Sequence, residues 1–113
     1  MSRLLEAHYA FYNRRYFRNR LPVISVGWWD GKRGNTRWKN IVGRTFYDLD
    51  EKKRIVPTHI LLHPRLKQLP SYCKLVLFHE MAHVATPHRV HHGIKFQRQM
   101  QRLAKIGAFR ELW

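Results

Sequence analysis

Leu75-Val76-Leu77-Phe78-His79-Glu80-Met81-Ala82-His83-Val84-Ala85 sets the frame for the rest of the chain. The run is apolar nearly all round, so the pattern predicts a helix buried on most sides. Within it, His79 to His83 reads H-E-x-x-H. Residues four apart on a helix lie about 40° apart around the axis, so the two imidazoles point the same way. Two neutral imidazoles on one face make half of a zinc site. Glu80 lies one step round, close to such a metal yet free to act as a base. Left unpaired in a core, each polar group would cost roughly 1–3 kcal/mol of desolvation. A bound metal and its surrounding hydrogen bonds would remove that penalty.

Pro70-Ser71 opens this helix, with Ser71 a candidate cap, and Pro87 closes it. Beyond a short loop, His88-Arg89-Val90-His91-His92, a last helix is predicted. Phe96, Met100, Leu103 and Gly107 form its inward stripe. One turn before Phe96 stands His92, which continues that stripe, whereas His91 falls about 100° off it. This phase argument makes His92 the third candidate ligand. Three protein ligands on Zn²⁺ leave a fourth position for water. The chemistry expected is peptide hydrolysis with Glu80 as general base. An oxyanion donor is also required, and Tyr47, Tyr72, His88 and Arg89 all qualify.

The segments before the central helix read as one helix and three strands. Leu5, Tyr9, Tyr12 and Tyr16 recur at helical spacing, which predicts a helix over 3–19 with Ser2 as its cap. His8 falls within its apolar face and reads as a packed histidine. Leu21-Pro22 stops it. Alternation over 23–29 predicts a first strand, with Ile24, Val26 and Trp28 on one face. A basic loop follows over 30–40, carrying Arg37, Trp38 and Lys39. It could grip phosphates and stack on a base, or equally be a solvated loop with Trp38 folded back onto the sheet. A second strand is predicted over 41–49, a charged turn over 48–54, and a third strand over 55–63. Pro57 makes the start of that strand an edge or entry point. His59 and His63 read as solvent-facing strand positions.

Bulk composition narrows the class. The chain has 113 residues, enough for one domain over 1–113. No run approaches the ~20 apolar residues that span a bilayer, and the start lacks a signal-peptide core. The single cysteine, Cys73, rules out an internal disulfide and suits a reducing cytoplasm. Near the start of the central helix it reads as a packed thiol. Lys and Arg total 22 against 7 Asp and Glu, a net charge of +15. That excess favours contact with nucleic acid or another polyanion over a merely solubilising role, and is compatible with a nucleoid or DNA-associated place within the cytoplasm.

Together these residues resemble the SprT-like metalloprotease domain of bacterial SprT proteins and the Spartan DNA–protein crosslink proteases. The matching features are Tyr16-Phe17 with Leu21-Pro22, the aromatic strand end at Trp28, and Ile60-x-Leu62 before Pro64. The specific ones are Phe78-His79-Glu80-Met81-Ala82-His83 and His92-Gly93-x-x-Phe96. The resemblance implies an α+β zincin-like core: an N-terminal helix, a three-stranded antiparallel sheet, and two C-terminal helices carrying the metal site. It implies that His79, His83 and His92 are ligands of Zn²⁺, that Glu80 is the catalytic acid/base, and that the substrate is protein at or near DNA. There are three departures. Lys95 stands where the family often has an acid, the segment from His83 to His92 is short, and one cysteine cannot build the zinc ribbon that often follows the domain. Two other readings stay open: a basic nucleic-acid-binding module with a structural zinc, and a metal-dependent hydrolase of a non-peptide substrate. Manganese, cobalt and nickel also stay open as alternatives to zinc.

Overall fold

The computed structural model describes residues 2–30, 42–87 and 93–109. Their order is α1 (Arg3–Tyr16), β1 (Ser25–Trp28), β2 (Gly43–Leu49), β3 (Ile55–Leu62), a 3-10 turn (Pro64–Gln68), α2 (Pro70–Ala85) and α3 (Ile94–Lys105). The fold is α+β, with a helix, a three-stranded sheet and two C-terminal helices.

The sheet is mixed, not antiparallel as the family resemblance implied. Strand order is β1-β3-β2, with β1 parallel to β3 and β2 antiparallel to it. The physical reason lies in β3. Ile60, Leu61 and Leu62 are all buried, and a strand covered on both faces belongs between two others. Alternation within a strand gives its faces but not its neighbours. Pairing with β1 begins only at Ser25↔His59, so Pro57 lies before the parallel ladder and its missing donor is tolerated there. The β2–β3 register shifts between Phe46 and Tyr47, where Thr58 is the extra residue on β3. The Thr58 hydroxyl donates to the Phe46 carbonyl at 3.2 Å across this irregularity.

Helix α1 starts where Ser2 caps it, its hydroxyl accepting from Leu5 N–H at 3.2 Å. It ends at Tyr16, three residues earlier than the spacing suggested, because Arg18 and Asn19 take left-handed backbone (φ 52° and 59°). Two features hold α1 against β1. The Glu6 carboxylate accepts from Val26 N–H at 3.1 Å, and Ser2 N–H donates to the Val26 carbonyl at 3.0 Å. These bonds cover an edge strand that would otherwise offer unpaired backbone. The chain after α1 is fixed by buried Asn13, whose amide pairs both backbone groups of Leu21 at 2.9 and 3.1 Å.

Helix α2 runs through the middle of the core. Val76, Leu77, Phe78, Met81, Ala82 and Val84 are buried. The Phe78 ring packs on Tyr12 (centroids 4.7 Å apart), Tyr16 (5.5 Å) and Phe109 (5.6 Å). Ser71 does not cap α2: the helix begins at Pro70 behind Leu69, with no side-chain cap bond. Proline at a first helical position is already preset for the turn. Helix α3 buries Phe96 and Leu103. Gly107 (φ 85°) is not part of its stripe but ends it. Ala108 N–H donates to the Leu103 carbonyl at 3.0 Å, the bond that closes a helix on a left-handed glycine.

Candidate metal centre and its carboxylate

His79, Glu80 and His83 lie together on the last two turns of α2, inside the core that the helix crosses. The two imidazole centroids are 5.0 Å apart, with the rings at 72°. His83 is buried and His79 half-buried, so the pair is reached from the His79 side. Phe96, in the first turn of α3, lies against both rings. It stacks on His83 at 4.3 Å and meets His79 edge-on at 4.9 Å. That contact fixes how α3 approaches α2, and the residue four before Phe96 is His92. His92, His88, Arg89 and Trp38 lie outside the described residues. Among the described residues no three His, Cys, Asp or Glu side chains gather into a metal-binding group.

Glu80 lies against β2 and is 5 % exposed. The Thr45 hydroxyl on β2 donates to Glu80 Oε1 at 2.8 Å and lies 3.2 Å from the Glu80 carbonyl. Burial pushes the Glu80 carboxyl up to about 7, against the pull of the Thr45 hydrogen bonds and the Arg44 charge. Sequence reading missed Thr45. Its signal was a polar residue at an inward position of β2, which is weak without the strand order. Gly43 was missed too. A Cβ there would stand 2.7 Å from Val76 Cγ1, 3.0 Å from Leu62 Cδ2 and 3.4 Å from Glu80 Cγ. The absence of a side chain lets β2 press against α2 beside the carboxylate.

Of the four oxyanion candidates, two are described. Tyr47 on β2 donates its hydroxyl to the His83 carbonyl at 3.2 Å. Burial, and then the Glu80 charge, push its phenol up to about 12. Tyr72 sits in the first turn of α2, about 10 Å along the axis from His79, and is exposed.

The other histidines and the thiol have structural partners. His8 is exposed, not packed inside, and stacks on the Tyr12 ring at 5.9 Å. His59 stacks on Phe46 at 4.4 Å, and His63 Nδ1 accepts from Arg65 N–H at 3.1 Å to cap the 3-10 turn. Both are half-buried, not solvent-facing strand positions. Cys73 is half-buried against the core, and burial raises its thiol.

The donor set fits a borderline divalent cation. Two imidazoles lie 5.0 Å apart on one helical face, and the neighbouring carboxylate is held by Thr45. Comparison with protein families agrees with the class this arrangement suggests. Residues 5–111 match the SprT-like family, and the chain belongs to it. Membership suggests a metalloprotease-like domain, and the family is typically zinc-dependent. No curated protein and no solved structure matches the chain. Among the described residues no helix is long and apolar enough to cross a membrane.

Proposed function

We propose that the chain is a zinc-dependent endopeptidase with a zincin-like core, hydrolysing protein substrates at or near DNA. The observation that carries this reading is the division of labour on α2. Two imidazoles face α3, while the carboxylate between them in sequence is held by Thr45 of β2. His79 and His83 would hold the metal, with His92 as the third ligand, a reading supported by Phe96 lying against both rings. When bound, zinc supplies a Lewis acid and a water acidified to about neutral pH. Glu80 would accept a proton from the attacking water and deliver it to the leaving amine nitrogen. Thr45 keeps one carboxylate oxygen engaged, which fixes the orientation of the other. Tyr47 keeps its proton across the physiological range and is the donor we assign to the developing oxyanion.

An open sheet edge beside the site supports a peptide substrate. β2 is an edge strand of the sheet and packs along α2 beside Glu80. Among the described residues nothing pairs with its outer edge, so an extended chain can add there through backbone hydrogen bonds. The net charge of +15 supports work close to a polyanion. The test is cleavage of casein or a DNA-binding protein by the zinc-loaded chain. Glu80→Gln should lower the rate by roughly 100- to 10,000-fold while leaving zinc content unchanged. Undiminished cleavage by that variant would remove Glu80 from its assigned role.

A further inference from the structure

A cleft of about 960 Å³ lies where the C-terminal end of α1 meets α3 and the end of α2. Four guanidinium-bearing residues line it: Arg15, Arg18, Arg20 and Arg102. No carboxylate is among its described lining residues. Arg102 forms a fixed floor. Its Nη1 donates to the Tyr16 carbonyl at 2.6 Å, Nε and Nη2 donate to Gln99 Oε1 at 3.1 Å, and the guanidinium lies 5.0 Å over the Phe17 ring. Arg18 and Arg20 are exposed, and among the described residues neither guanidinium has an acidic or hydrogen-bonding partner. Burial, and then the positive charges of Arg18 and Arg20, lower the Arg102 pKa.

Helix-end electrostatics accounts for only part of this. Cations do suit the C-terminal end of α1, but Arg18 sits at φ 52° just past the helix, where glycine fits without strain. The backbone of this turn is pinned by Asn19 N–H to the Asn13 carbonyl at 2.9 Å and Arg20 N–H to the Phe17 carbonyl at 3.0 Å. The two unpartnered guanidiniums are therefore presented on a fixed turn above a third.

We propose that this cleft binds the phosphodiester backbone of a nucleic acid. Planar guanidiniums match phosphate oxygens two at a time, which a scattering of lysines would not do. Val84 and Ala85, just after His83, also line the cleft. A strand gripped here lies beside the C-terminal end of the helix that carries the candidate metal centre. The site stands on its own geometry and deepens the proposed function by saying where the polyanion sits.

The test is fluorescence anisotropy with a labelled 20-base-pair duplex, without protein substrate, so that its outcome is separable from that of the hydrolase reading. The variant pair is Arg18→Gly with Arg20→Gln. Its control is Lys53→Gly with Lys52→Gln on the β2–β3 turn, where Lys53 also has positive φ (59°) and both lysines are exposed. Each double variant removes two positive charges and relieves one left-handed residue. The arginine pair should lose at least about 10-fold in affinity at 150 mM salt. Its slope of log affinity against log salt should flatten by about 1.8, two phosphates' worth. Its thermal midpoint should not fall. The lysine pair should change affinity less than about 3-fold. Equal losses in both pairs, no loss in the arginine pair, or displacement of the duplex by millimolar inorganic phosphate would each overturn the proposal.

Discussion

At Glu80 a carboxylate whose ordinary pKa is 4.5 is pushed up to about 7 by burial, in the protein without metal. The consequence for stability has a definite sign. Between pH 4.5 and 7 the unfolded chain has lost this proton and the folded chain keeps it. Stability of the metal-free protein should therefore fall as pH rises through that window, and level off above it. At about 1.36 kcal/mol per pKa unit the loss is on the order of 3 kcal/mol. Urea denaturation of metal-free protein at pH 5 and pH 7.5, beside Glu80→Gln, measures it. The variant should lack this component of the pH dependence. A parallel change in both proteins would assign the effect to other groups.

At the scale of elements, the site depends on how closely β2 approaches α2. Thr45 reaches Glu80 because Gly43, two residues earlier on the same face of β2, leaves room for Val76 and Leu62. Gly43→Ala places a carbon 2.7 Å from Val76 Cγ1, so strand or helix must shift. Overpacking of this kind costs about 1–3 kcal/mol. Urea midpoints should show that loss, and Val76→Ala in the same chain should recover part of it. A Gly43→Ala protein as stable as the parent would mean that the strand and helix can part without cost. The α2–α3 contact is similarly specific, since Phe96 rests on both imidazoles. Any change that moves α3 also moves the two rings.

Across the whole molecule, what the sequence made legible was what depends on period. The apolar run from Leu75 to Ala85 gave a buried helix, and the step from His79 to His83 gave a shared face, as observed. The cap at Ser2 and the inward Phe96 were readable for the same reason: both are local. The sheet was not, because alternation says which face a residue takes and nothing about which strand lies alongside. Hence β3 came out central and parallel to β1, where a simple antiparallel sheet was expected. Thr45, Gly43 and Asn13 were invisible in the same way, since each acts on a partner brought close only by the fold. Arg102 lies off the inward stripe of α3, yet it binds the last carbonyl of α1.

The central claim is that His79, His83 and His92 together hold one catalytic metal. Zinc content per chain, measured by mass spectrometry on protein purified and dialysed without chelator, tests it most directly. The parent and Glu80→Gln should carry about one zinc each, and His79→Ala, His83→Ala and His92→Ala should each lose most of it, since structural and catalytic zinc depends on its full ligand set. Full retention of zinc by His92→Ala, or a parent chain that binds none, would contradict the account.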